Sequence, residues 1–219
     1  MATGPPPQDA AGDGRYPVQF AVDYPDRPLN RLTTAFRPFV AIPILIVLVT
    51  IGGVTAEATG PTNEFNVSTF GGILFLPALL MIVFRRKYPR WWFDFNLELQ
   101  RFANRVCAYL VLMHDRYPST DEKQYVTLDI PYPDAERDLN RWLPLVKWLL
   151  AIPHYVVLFF LYLAALFVVI AAWFAILFTG RFPRGMFDFI EGVLRWTNRV
   201  EAYVLLLATD QYPPFRLGP

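Results

Sequence analysis

The sequence predicts an all-α transmembrane protein. Its four transmembrane helices form two parallel-repeat helical hairpins, each preceded by a short β-strand and followed by an amphipathic interfacial helix on the cytoplasmic side. Three observations predict this. The chain is apolar, with 54% hydrophobic residues among 219 and a mean hydropathy of +0.30, more than a soluble domain of this length ordinarily carries. Two long stretches lack lysine and arginine altogether, Leu45 to Phe84 and Trp148 to Gly180. A series of short motifs also occurs twice in the same order, the mark of a duplicated unit.

The motif series divides the chain. YPD recurs as Tyr24-Pro25-Asp26 and Tyr132-Pro133-Asp134, and LNR as Leu29-Asn30-Arg31 and Leu139-Asn140-Arg141. AIP follows at Ala41-Ile42-Pro43 and Ala151-Ile152-Pro153. PR-x-x-FDF spans Pro89 to Phe95 and Pro183 to Phe189, R-x-x-NRV-x-AY spans Arg101 to Tyr109 and Arg195 to Tyr203, and D-x-YP closes each series at Asp115 and Asp210. Repeat 1 is therefore 16–120 and repeat 2 is 121–219. Residues 1–15 have neither a basic n-region nor an apolar core, so they read as a disordered tail and not as a signal peptide.

Each repeat opens on a strand. Val18, Phe20 and Val22 alternate with Gln19 and Ala21, and Val126, Leu128 and Ile130 alternate with Thr127 and Asp129, the period-two pattern of a half-buried strand. Proline in YPD then stops the ladder. Asn30 and Asn140 suit the N-cap of the next helix.

The spans follow at roughly 31–54, 67–84, 140–160 and 162–179. The first two flank the polar insert TAEATGPTNEFNVS, which is tolerated at a membrane surface but not at its centre. The second pair is less direct. Trp148 to Phe178 contains 31 residues with no charge, about 46 Å as one helix, long for a single pass. Basic residues on both sides, Arg141 and Lys147 before and Arg181 and Arg184 after, argue for a tight hairpin, and one long tilted helix is the arrangement left open. The positive-inside rule puts both termini in the cytoplasm. Pro43 and Pro153 lie inside apolar segments and predict a bend in each copy.

Each repeat closes on an amphipathic helix, about 91–114 and 185–208. In the second, Asp188, Arg195, Asn198 and Arg199 fall within roughly a 100° stripe, and Asp94, Arg101, Asn104 and Arg105 reproduce it in the first. One reading makes Arg101, Arg105, Arg195 and Arg199, with Asn104 and Asn198, a lipid or anion site, because guanidinium forks match phosphate geometry. The other makes Asp94 and Asp188 structural salt-bridge partners that pin the helix. His114 and His154 lack a partner at metal-ligand spacing, and neither a metal nor a cofactor is expected. Cys107 is the lone cysteine and reads as a small buried residue.

The run LLAIPHY, FAILFTGRFPRG, FDF, LRW, RVEAY and QYPPF resembles a bacterial membrane family, domain of unknown function 4389, frequent in actinobacteria. The resemblance covers nearly all of 124–217, and the first repeat is similar to a second, more divergent copy. It implies a bacterial inner-membrane protein and no particular activity. The expected function is a non-enzymatic accessory or scaffold subunit that docks a partner or lipids through its cytoplasmic layer. The alternative is a lipid-handling or small-solute transport protein using the cleft between repeats. Expected partners are membrane lipids, a larger membrane complex or a second copy. The net charge of +1 argues against nucleic acid.

Overall fold

The structure is a computed structural model and describes residues 16–51, 54–59, 64–69, 71–120, 122 and 124–219. The tail expected over 1–15 lies outside the described residues. The element order is β1 (Gln19–Val22), α1 (Arg31–Val40), α2 (Ile42–Ile51), β2 (Val54–Thr59), β3 (Glu64–Thr69), α3 (Gly71–Leu80), a π-helical turn (Met81–Arg85), α4 (Arg90–Leu110), β4 (Val126–Asp129), α5 (Pro144–Leu150), α6 (Ile152–Thr179) and α7 (Arg184–Val204).

Four transmembrane helices in two hairpins are not what this chain forms. Among the described residues one helix, α6, is long and apolar enough to cross a membrane, and a second candidate exists only if α1 and α2, bent by 52° against each other, count as one span. The expected hairpin over 140–160 and 162–179 is instead a short α5 and then 28 unbroken residues of α6, about 42 Å long. The polar insert of the first repeat forms a β-hairpin, β2 paired antiparallel with β3. The expected second span, 67–84, therefore begins inside a strand and becomes helical only at Gly71.

The prolines explain where the helices break. Ala41 and Ala151 end α1 and α5, and the next helices begin at Ile42 and Ile152. Pro43 and Pro153 thus fall in a first turn, where the missing N–H would have had no helical acceptor. Asn30 caps α1, its side-chain oxygen accepting from the Leu32 and Thr33 amides.

At the centre, β1 pairs antiparallel with β4, with Phe20 opposite Leu128. Val18, Phe20, Leu128, Phe93, Phe187, Ile190 and Leu207 are buried in one cluster where the sheet meets α4 and α7. Matching residues of the two motif series make matching contacts across this centre. Arg101 Nε donates to the Leu128 carbonyl at 2.9 Å and Arg195 Nε to the Phe20 carbonyl at 3.0 Å. Tyr24 donates to the carbonyl of Phe182, and Tyr132 to that of Tyr88. Arg31 donates to the Phe178 carbonyl and Arg141 to that of Val83. Each of these bonds joins one half to the other.

The ends of α6 meet the same layer. At one end Tyr212 donates to the Leu150 carbonyl and Trp196 to His154 Nδ1. At the other, the Leu29 amide donates to the Gly180 carbonyl and Trp173 to that of Thr34. Gly180 takes a left-handed φ of +73° that closes α6, a conformation glycine adopts without a Cβ penalty.

Candidate functional site between α4, α6 and α7

The polar stripes of α4 and α7 meet at the centre of the molecule. Asn104 and Asn198 are buried and exchange amide hydrogen bonds, Nδ2 to Oδ1 at 2.7 Å one way and 2.8 Å the other. A buried amide pair satisfied in both directions costs little and fixes the register of the two helices.

The arginines of the stripes hold the chain's own carbonyls. Arg105 donates to Glu122 and Thr120, and Arg199 to Arg216 and Gly218, so each clamps the segment after its own D-x-YP motif. Arg101 also pairs with Glu98 and Asp129, and Arg195 with Glu191 and the Leu217 carbonyl. Asp94 and Asp188 pair with Arg90 at 3.9 Å and Arg184 at 3.7 Å, one turn back on their own helices. All four side chains are exposed there, where an ion pair contributes little. The buried ion pairs lie elsewhere. Arg37 contacts Asp115 and the carbonyls of Tyr109 and His114, and Lys147 contacts Asp210 at 2.7 Å and the Thr209 carbonyl.

One residue on the apolar side of α7 stands apart. Glu201 occupies the variable position of R-x-x-NRV-x-AY, where the first series has Cys107. It lines a groove of about 350 Å³ between α6 and α7, together with Tyr155, Leu158, Phe159, Tyr162, Thr197, Val200 and Leu205. Burial pushes its carboxyl up to about 7, partly offset by the amide of Gln100, which donates to it. Burial likewise pushes the Cys107 thiol up to about 11, with the Glu201 charge adding to the shift. Tyr162 and Thr197 share a hydroxyl hydrogen bond of 2.8 Å at the rim. A carboxyl poised near neutrality in an apolar groove is the arrangement by which functional groups are commonly tuned.

Sequence reasoning passed over Glu201, Gln100, Tyr162 and Thr197. The signal was the angular position of Glu201, roughly 60° outside the edge of the polar stripe of its helix. A second, wider cavity of about 750 Å³ opens at the β1–α1 connection, lined by Asp23, Asp26, Arg27, His114, Asp115 and Arg116 among others. There His114 stacks on Tyr125 at 4.1 Å, and burial lowers its imidazole from the ordinary value against the pull of Asp115 and Asp23. Among the described residues no group of histidine, cysteine and carboxylate side chains could hold a metal ion.

Residues 142–216 match the family model of DUF4389, a domain of unknown function. No curated protein and no solved structure matches the chain. The matched segment begins just before α5 and takes in α6, α7 and most of the C-terminal tail. Glu201, Thr197 and the aromatic lining of the groove lie inside it. Gln100 and Cys107, which face Glu201 from α4, lie outside it.

Proposed function

We propose that this protein is a membrane-anchored, non-enzymatic scaffold, held to a bacterial membrane by α6 and presenting the layer of β1, β4, α4 and α7 to a partner. The single observation that carries the reading is the outer face of α6. Phe160, Phe167 and Phe178 are 63%, 64% and 78% exposed. Val156, Leu163, Leu166, Ile170 and Phe174 continue the same face. An uninterrupted apolar ridge of this length is far larger than the isolated apolar residues of an ordinary surface and requires cover. A bilayer is the cover favoured by its surroundings, because Trp142, Trp148 and Arg181 flank the ridge at its ends, the residue types that settle at headgroups.

The paired contacts across the centre support a further part of the reading. Residues 16–120 are a second, divergent copy of the unit matched at 142–216, and the two copies together make one platform. Alkaline carbonate extraction and flotation with phosphatidylglycerol vesicles test the anchor. The native chain stays with the membrane pellet and floats, and the triple variant Phe160→Gln, Phe167→Gln, Phe174→Gln is released while its circular dichroism is retained. A native chain that is released by carbonate and stays monomeric without detergent overturns the reading.

A further inference from the structure

We propose that the groove between α6 and α7 is a binding site for a small organic ammonium ion, whose charge is met by the Glu201 carboxylate and whose alkyl groups lie among Tyr155, Phe159 and Tyr162. The inference goes beyond the scaffold reading and does not depend on it.

The chemistry of the lining carries it. The lining is mostly apolar and aromatic and bears one carboxyl. The groups that face Glu201 are Gln100 and Cys107 from α4 and the phenols of Tyr155 and Tyr162 from α6. None is a cation. Among the described residues no lysine, arginine or histidine forms an ion pair with Glu201. Of the other buried charges, Arg37 pairs with Asp115 and Lys147 with Asp210, while Arg105 and Arg199 hold main-chain carbonyls. An ionised carboxylate left in apolar surroundings is strongly disfavoured unless a cation joins it. Three aromatic rings in the same groove as such a charge form the setting in which alkylammonium groups are held, through cation–π attraction.

The size of the groove narrows the ligand. At about 350 Å³ it lies near the bottom of the ~300–1,000 Å³ range of small-molecule sites, enough for a quaternary ammonium headgroup and a short chain. Gln100, from α4, donates to one carboxylate oxygen. Burial holds the Glu201 carboxyl at about 7, so the ionised form needed to pair with a cation becomes dominant only as pH rises through neutrality.

Choline and its uncharged isostere 3,3-dimethyl-1-butanol are the probes. Binding is measured calorimetrically on the full chain in nanodiscs of phosphatidylglycerol. Choline binds at least tenfold more tightly than the isostere, its affinity rises about tenfold between pH 6 and pH 8, and Glu201→Gln removes both effects. Should that variant lose its fold, the pH dependence of the native chain decides alone. Equal affinity for choline and the isostere, or affinity independent of pH, overturns the proposal. Adding phosphatidylcholine to the discs separates the two sources of the group. Displacement of choline assigns the site to a lipid headgroup, and unchanged binding assigns it to a free amine, each consistent with the site.

Discussion

The residues that differ between the two motif series say more than those they share. Shared residues such as Asn104 and Asn198, or Arg101 and Arg195, meet equivalent partners and build the centre of the fold. The pair Cys107 and Glu201 breaks that equivalence. Its consequence is a pH dependence of stability. The Glu201 carboxyl titrates near 7 in the native state, against an ordinary 4.5, so between those values the native chain binds the proton that the unfolded chain has lost. Stability therefore falls as pH rises from about 4.5 to about 7 and levels off above that. Glu201→Gln flattens this slope. After allowance for the part of the side chain that reaches solvent, the variant is about 2 kcal/mol more stable than the native chain at pH 8 and equal to it at pH 4.5. Thermal unfolding at the two pH values, with the native chain alongside, checks it. A native chain whose melting point does not fall between them would remove Glu201 as a buried acid.

Among the elements, α7 packs against β1, α6 and the C-terminal tail. The tail crosses at Gly192, where an added Cβ would lie 2.9 Å from the Leu217 Cβ and 3.2 Å from the Leu217 carbonyl oxygen. The same tail supplies the carbonyls held by Arg195 and Arg199 and lays Phe215 on His154, with ring centroids 4.1 Å apart. Gly192→Ala gains about 1 kcal/mol of helix propensity but forces the tail outward against roughly 1–3 kcal/mol of overpacking. The expected outcome is a small net loss of stability and faster tryptic cleavage after Arg216; cleavage at the native rate would show that the tail is not seated there. The arrangement of α6 was the least legible in the sequence. Basic residues on both sides of 148–178 suggest membrane sidedness, yet the fold employs several of them directly. Arg141 donates to the Val83 carbonyl, Lys147 pairs with Asp210, and Arg184 lies over the Tyr24 ring at 4.3 Å. Charges consumed in packing carry no topological information, so the inference of two passes fails. The amphipathic stripes were more legible, since a 3.6-residue period fixes one face whatever that face contacts. What the period leaves open is the partner, and here the central part of each stripe meets its counterpart.

Across the whole molecule, the two halves are interleaved rather than stacked side by side. β1 of the first pairs with β4 of the second, and each half's central arginine reaches a carbonyl of the other's strand. Each half's LNR arginine holds the end of the other's apolar helix, Arg31 at Phe178 and Arg141 at Val83. A two-stranded sheet is marginal on its own, and either half alone would leave β1 or β4 unpaired, its asparagine Oδ1 without the donor from the other half and these carbonyls without partners, each unsatisfied buried group costing about 1–3 kcal/mol. The halves should therefore be mutually dependent. Expressed separately, 1–123 and 124–219 are degraded or aggregate. Expressed together, with an affinity tag on one only, they co-purify in a one-to-one ratio from detergent extracts. Asn104→Ala with Asn198→Ala weakens that association by less than the sum of the two single changes, because either one alone already breaks both amide bonds between the helices; the cycle of four combinations then reads a coupling of about 1 kcal/mol. A half that folds by itself, with cooperative unfolding and a protected amide core, would mean that the contacts between halves are a late embellishment of two independent units. The reciprocal geometry of the asparagine pair and of the crossed arginines argues instead for one cooperative body.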